Sequence, residues 1–420
     1  MKRLLFALVF SLSLVAASTT KAAIKTGEEF TRGVQFYQNG EFDEAIASFS
    51  SWLKKNPEHA DAYNGRGAAK YAKRDLDGAI TDYDRAIELD PKLADAYSNR
   101  GAAKWAKGDL DGTIADCTRA IELEPQNASA YNNRGDARRA KNDFDGAIAD
   151  LTRAIELNPK NATYYNNRGA VRHSRDDIEG AAADYTRAIE LNPEDDDAYN
   201  NRGDTERVKG DLDKAIADYT RAIELNPKLA VACLSRGLSK YGQGDLDGAI
   251  ADYTRGIALN PKVPGAHMGL GIAFYLQQNW LKASAAFDEE SRQEEAIEHA
   301  ALMACVVKVR LGQGEEGRRD LRAWLEKRNV TKRGDWISKV GDFLLSNMDE
   351  AALLKAAEDP DEEKGHNQHC NAWYVAGMQR LAISQKTEAA DCFRKCIATG
   401  QKDSATFAFA TAELKWLGEK

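Results

Sequence analysis

The sequence predicts an all-α protein: a solenoid of stacked two-helix units, followed by a divergent helical C-terminal region. Three observations predict it. Seven of the nine prolines, Pro57, Pro91, Pro125, Pro159, Pro193, Pro227 and Pro261, each lie 34 residues after the last. The text between them repeats too, as in "GDLDGTIADCTRAIELEPQNASAYNNRGDARRAKNDFDGAIADLTRAIELNPKNA". At 420 residues the chain is too long for one compact core of ordinary size. A fixed period of this size means stacked supersecondary units, each burying its apolar face against its neighbours.

The first element is a leader. Lys2 and Arg3 precede an apolar run from Leu4 to Val15, and small residues follow in "VAA" (15–17) and "TKA" (20–22). That layout predicts a cleavable signal peptide over 1–22. The run falls short of the ~20 residues a membrane span needs, and no later segment is long and apolar enough. The expectation is an exported chain, periplasmic or secreted and soluble after cleavage. The first cysteine is Cys117, so no lipid anchor is expected. A composition of 43% hydrophobic and 30% charged residues suits an ordered soluble protein. A net charge of -8 argues against a generic nucleic-acid binder.

The repeats come next. In the second unit, helix A is expected over 61–73 and helix B over 76–89. Asp75 can cap helix B through its carboxylate, and Pro91 cannot continue a helix. Ala79, Tyr83, Ala86 and Ile87 recur at three- and four-residue steps, which gives helix B one apolar face.

The unit resembles the tetratricopeptide repeat (TPR). Its aromatic, Gly, Ala, aromatic, Ala, Pro signature is met by Tyr63, Gly67, Ala79, Tyr83, Ala86 and Pro91. Eight copies fill 26–297, and a degenerate ninth, 298–331, keeps the phase through Gly312, Leu321 and Trp324. The resemblance implies a right-handed superhelix whose A helices line the concave side.

The period is lost after about 332. Two short helices and an acidic loop, Glu358–Glu363, are expected over 332–369. A final TPR-like helical pair and a closing helix are expected over 370–420, with Trp373, Gly377, Ala389 and Phe393 in TPR-like positions. The tail resembles NlpI-type TPR lipoproteins in its "LLKAA" helix (353–357), "CNAWYVAG" (370–377) and terminal "WLG" (416–418). That resemblance implies an envelope adaptor that gathers proteases and cell-wall hydrolases and can form a homodimer. The missing lipidated cysteine departs from it.

Candidate site residues follow from the register. Arg66, Arg100, Arg134, Arg168, Arg202 and Arg236 precede the repeat glycine, and Asp82, Asp116, Asp150, Asp184, Asp218 and Asp252 lie sixteen residues on. The simplest reading is a structural bridge in each unit; an anion-binding stripe is the alternative. Asn99, Asn133, Asn167 and Asn201 precede those arginines. In related TPR superhelices this position lines the groove, where amides can grip the backbone of an extended peptide. Asn132, Asn166 and Asn200, about 100° round the helix, read as interfacial or rim residues. Tyr71, Trp105, Arg139, His173, Arg207, Tyr241 and Tyr275 form a row expected along the same groove.

Cys370, expected to start a helix A, and Cys396, near the end of its helix B, are disulfide candidates. Cys392 is the competing partner, and buried free thiols are the alternative. "HNQHC" (366–370) reads as a loop entering a helix, and no metal or other cofactor is expected. No nucleophile-base pairing or phosphate-binding loop appears. The reading is a non-enzymatic TPR scaffold that binds proteins or peptides, with no nucleic acid and no membrane span. A holding chaperone in envelope or pilus assembly is the alternative.

Overall fold

The structure is a computed structural model. It describes residues 28–293, 299–328, 335–402 and 404–418. The expected signal peptide, 1–22, lies outside the described residues. All secondary structure among the described residues is helical, in two compact units, Met1–Lys209 and Gly210–Lys420.

Unit 1 holds α1 (Glu28–Gln38), α2 (Phe42–Lys55), α3 (Ala60–Ala72), α4 (Leu76–Leu89), α5 (Ala94–Ala106), α6 (Leu110–Leu123), α7 (Ala128–Ala140), α8 (Phe144–Leu157), α9 (Ala162–Ser174), α10 (Ile178–Leu191) and α11 (Asp196–Val208). Odd-numbered helices are A and even-numbered ones B. Unit 2 continues the alternation through α12 (Leu212–Leu225), α13 (Ala230–Gly242), α14 (Leu246–Leu259), α15 (Ala266–Leu276) and α16 (Trp280–Ser291). Then come α17 (His299–Arg310), α18 (Gly314–Lys327), α19 (Trp336–Leu344), α20 (Glu350–Ala356), α21 (Glu362–Ala382), α22 (Lys386–Ala398) and α23 (Ala405–Trp416).

Each repeat is delimited by the same local chemistry. Asp75, Asp109, Asp143, Asp177 and Asp245 each accept a hydrogen bond from the backbone N–H three residues on. Such a cap contributes about 1 kcal/mol to its helix. The turn from A to B passes through a left-handed residue: Gly40, Arg74, Gly108, Asn142, Asp176, Gly210 and Gly244 all have positive φ. Glycine suits that conformation because it has no Cβ to collide with the following carbonyl. The repeat glycine has a different task, close packing. A Cβ on Gly67 would sit 2.7 Å from the ring of Tyr83, and one on Gly169 2.8 Å from Tyr185.

Between these contacts lies the charge pair expected from the register. Arg66, Arg100, Arg134, Arg168 and Arg236 each make two hydrogen bonds of 2.6–2.9 Å to Asp82, Asp116, Asp150, Asp184 and Asp252. A second cation, Lys70, Lys104, Arg138, Arg172 or Lys240, reaches the same carboxylate at 2.7–2.9 Å. The arginine also reaches back one repeat: Arg134 donates to Thr118, Arg168 to Thr152, Arg202 to Thr186 and Arg236 to Thr220. Burial alone would raise Asp252, yet Arg236 and Lys240 hold it below the usual carboxylate range. These arginines are fastened inside the repeats, which leaves no anion-binding stripe.

The C-terminal half of unit 2 is built differently. Repeat cores in unit 1 are small, such as Ala147, Leu151 and Val171, or Cys117, Ala120 and Ala130. From Tyr275 onward one large core joins α15–α23 around Phe287, Phe343, Leu353, Tyr374, Phe393 and Phe409. Here the structure corrects two expectations. α21 starts at Glu362, with Asp361 capping it, so Glu362 and Glu363 open a helix rather than close a loop. His366–Cys370 therefore lies inside a 21-residue helix, and Cys370 stands well within it rather than at its start. The TPR template placed the start at the aromatic signature, but an Asp cap and two acidic residues in the first turn favour the earlier one.

Candidate functional site

Within unit 1 the successive A helices touch one another as well as their B partners. They form the inner side of the unit, and the functional candidates lie along it. The fifth and sixth residues of each A helix form its floor. The Asn99 amide donates to Asn64 Oδ1 at 3.0 Å, Asn167 to Asn132 at 2.9 Å and Asn201 to Asn166 at 3.1 Å. Three of the four expected groove asparagines thus bond the fifth-position asparagine of the preceding A helix; Asn133, where that position is Ser98, instead accepts from Asn132 at 3.3 Å. The α9 pair shows why the Asn is doubled: Asn167 reaches back to Asn132, and Asn166 receives Asn201 of the next repeat. Asn99, Asn133 and Asn167 are buried and Asn201 is half-buried.

Carboxylates punctuate this floor. Asp136 is 2% exposed and accepts from Asn167 Nδ2 at 3.1 Å. Burial pushes it up to about 7, against the opposing pull of Arg139. Burial, with Glu124 and Asp61 nearby, pushes Asp95 up to about 6. Asp197 also rises to about 6, through burial and then Asp196 and Asp195. A small pocket lies at the N-terminal end. Phe30, Val34, Tyr37 and Phe49 supply its apolar wall, and Asp61 and Asp95 its carboxylates.

The twelfth residue of each A helix forms a wall. Tyr71, Trp105, Arg139, His173 and Arg207 are all half-buried in unit 1, as Tyr241 is in unit 2. Tyr71 packs against the Ala79–Tyr83 cluster. Arg139 Nε, His173 Nε2 and Arg207 Nε are buried and have no hydrogen-bond partner among the described residues. Arg139 reaches Asp136 only at 3.9 Å. Unpaired buried polar groups are uncommon in native proteins and call for an explanation.

The same positions in unit 2 change character. Asp197, Asn200, Asp204 and Arg207 on α11 correspond to Val231, Leu234, Leu238 and Tyr241 on α13, and to Gly265, Met268, Ile272 and Tyr275 at α15. The last of the row does not line an open surface. Tyr275 is fully buried, bonded to Tyr374 at 2.8 Å and to Glu413 at 2.7 Å, with Phe409 at 4.3 Å. Arg310 lies 3.3 Å from the same Glu413 carboxylate and over the Trp280 ring. That network joins residues up to 138 positions apart, beyond the reach of any periodic pattern.

Cys370 and Cys396 are both fully buried, with Sγ atoms 2.6 Å apart. The Ser404 and Thr406 hydroxyls lie 3.7 and 3.6 Å from Cys370 Sγ. Among the described residues, no three His, Cys, Asp or Glu side chains are placed to hold a metal, and no helix is long and apolar enough to cross a membrane.

Fold and inner face together define a helical-repeat solenoid of the protein-binding kind. Models of the tetratricopeptide repeat match residues 30–94, 69–128, 196–229 and 234–296, and models of the TPR repeat match 135–175 and 171–206. Together they cover more than half of the sequence, and the chain belongs to the tetratricopeptide-repeat family. Comparison with curated proteins finds no match. Among solved structures, MamA is 28% identical over 39% of this chain and 95% of its own, with a TM-score of 0.36. YrrB, described as a TPR protein with an unusual peptide-binding site, is 24% identical over 44% of this chain and 95% of its own, with a TM-score of 0.36. The Cut9–Hcn1 hetero-tetramer of the APC/C has a TM-score of 0.53 at 16% identity, over 66% of this chain and 54% of that one. This last likeness is one of fold.

Proposed function

We propose that this protein is an exported, non-enzymatic adaptor that holds an extended segment of a partner protein along the inner face of unit 1. One observation carries the reading: the side chains of Arg139, His173 and Arg207, aligned on three successive A helices, each with a buried ring or guanidinium nitrogen that no hydrogen bond among the described residues occupies. A ligand presenting carbonyl or carboxylate oxygens at the repeat spacing would bond these half-buried side chains as they turn toward it. The asparagine floor does not grip the ligand as the sequence predicts, because Asn99, Asn167 and Asn201 use their amide donors on the preceding repeat; what remains to a ligand is hydrogen bonding from the wall. Each such bond contributes only about 0.5–1.5 kcal/mol net, so selectivity falls to the wall as a whole and to the Asp61/Asp95 pocket.

Arg139→Glu/Arg207→Glu tests this. Immobilised wild type should retain at least one protein from an envelope extract that this variant, still helical by circular dichroism, does not. An identical set of retained proteins would remove unit 1 from the recognition account. A holding chaperone would instead suppress aggregation of many unrelated unfolded proteins. Envelope proteases and cell-wall hydrolases are the partners that the tail's sequence resemblance to NlpI-type lipoproteins would imply. In an oxidising compartment the Cys370–Cys396 pair closes as a disulfide. Non-reducing peptide mapping should recover the two cysteines in one cross-linked peptide, and free Cys370 would contradict it.

A further inference from the structure

The inner face of α13 is apolar, exposed and unlike that of the repeats before it. Val231 is 48% and Leu238 45% exposed, whereas the corresponding residues of α11 are Asp197 and Asp204. The residues that build the repeat are kept: Arg236 still bonds Asp252, Gly237 still meets the Tyr253 ring, and Asp245 still caps α14. The replacement is therefore confined to one surface.

It is also accommodated from below. Leu234 stands where α7, α9 and α11 carry Asn132, Asn166 and Asn200. Opposite it, Gly256 stands where Ala154, Ala188 and Ala222 stand in the earlier repeats. A Cβ on Gly256 would lie 2.5 Å from Leu234 Cδ2. The leucine has a seat that an alanine would close.

What such a surface receives is visible one repeat on. Met268 and Ile272 of α15 pack against the large C-terminal core, and the Tyr275 ring lies tilted against Phe409 and Trp416 of α23. α23 lays its Phe409, Ala410, Glu413 and Leu414 side into that core. α13 touches α15, and its Tyr241 holds the position of Tyr275. The exposed face of α13 thus continues a surface that already binds a helix. The helix-in-groove mode, an apolar stripe laid into an apolar face, matches this arrangement.

We propose that the inner face of α13 is a docking site for an α-helix of a partner protein, one carrying a Phe/Leu/Trp stripe of the kind α23 carries. Burying Val231 and Leu238 is the favourable step, because both remain in water in the free protein. The site is independent of the polar face of unit 1.

The test uses the full chain and a labelled, end-capped peptide with the sequence of residues 405–416. The variant is Val231→Asp/Leu238→Asp, which installs the residues α11 carries at the same positions and should leave the helical signal and melting temperature unchanged. Wild type should bind the peptide saturably, and the variant at least tenfold more weakly. Arg139→Glu/Arg207→Glu should bind it as wild type does, so failure of the unit 1 reading and failure of this one are separable. Equal binding by wild type and Val231→Asp/Leu238→Asp, or no binding by either, would overturn the proposal. So would sedimentation showing that wild type self-associates through these residues, because the face would then belong to a second copy of this chain.

Discussion

Unit 1 and α13 use one repeat framework to present opposite chemistries. In α11 the inner positions read Asp, Asn, Asp, Arg; in α13 they read Val, Leu, Leu, Tyr. Beneath both lie the capping aspartates, the repeat glycine and an arginine anchored in its own unit. The framework is what lets the inner face vary, since the caps, the glycine contact and the arginine–aspartate pair recur whatever side chains the inner positions carry. Two surfaces of different selectivity can therefore sit on near-identical scaffolding.

If the scaffolding is shared, breaking it should cost the same in both regions. Asp150→Ala in unit 1 and Asp252→Ala in unit 2 each strip two cations of their common carboxylate. Each should lose about 3–5 kcal/mol in urea unfolding, the usual cost of leaving half of a buried charge pair. A large loss in one and a negligible loss in the other would mean that the two frameworks differ after all.

The polar face should carry a pH signature that the apolar face lacks. Folded Asp136 keeps its proton up to about pH 7, whereas an unfolded aspartate releases it near pH 3.9. Between those values the folded state binds more protons, so stability falls as pH rises. Asp136→Asn should thus stabilise the protein at pH 8, by no more than about 4 kcal/mol, and leave it unchanged at pH 4. An equal effect at both pH values would remove the buried-carboxyl explanation.

A sharper contrast comes from the Leu234–Gly256 pair. Gly256→Ala introduces a better helix former, yet it should destabilise by about 1–3 kcal/mol through overpacking. Adding Leu234→Asn should recover most of that loss, because Ala over Asn is the combination of unit 1. Additive effects in this double-mutant cycle would show that the two positions are not coupled. The smallest effect is expected at the left-handed turn. Arg74 (φ 68) occupies a conformation that Gly108 and Gly244 adopt without strain. Arg74→Gly should raise stability by about 0.5–1 kcal/mol, read as a shift in the urea midpoint.

The repeat architecture was open to reading because 34-residue periodicity puts helix, cap and turn signals in fixed register. Arg134 and Asp150 could be paired from their sixteen-residue spacing alone. The doubled asparagines were half legible. Their groove position followed from register, but the bond from Asn167 back to Asn132 joins two repeats and depends on how closely their A helices pack. The start of α21 was hidden by a family template that drew the eye to Trp373 and away from the Asp361 cap. The closure of the Tyr275 face by α23 was out of reach, because Glu413 belongs to no repeat. The apolar switch at α13 was written in the sequence throughout. It gained meaning only when the structure left Val231 and Leu238 exposed.

The central proposal is that inner-face side chains, not the scaffold, choose the ligand. The direct measurement is the affinity of a purified partner, captured by wild type, for two variants: Arg139→Glu/Arg207→Glu in unit 1 and Val231→Asp/Leu238→Asp in unit 2. For a partner held as an extended segment, the first should weaken binding at least tenfold and the second should leave it unchanged. Equal affinity for wild type and both variants would contradict the claim.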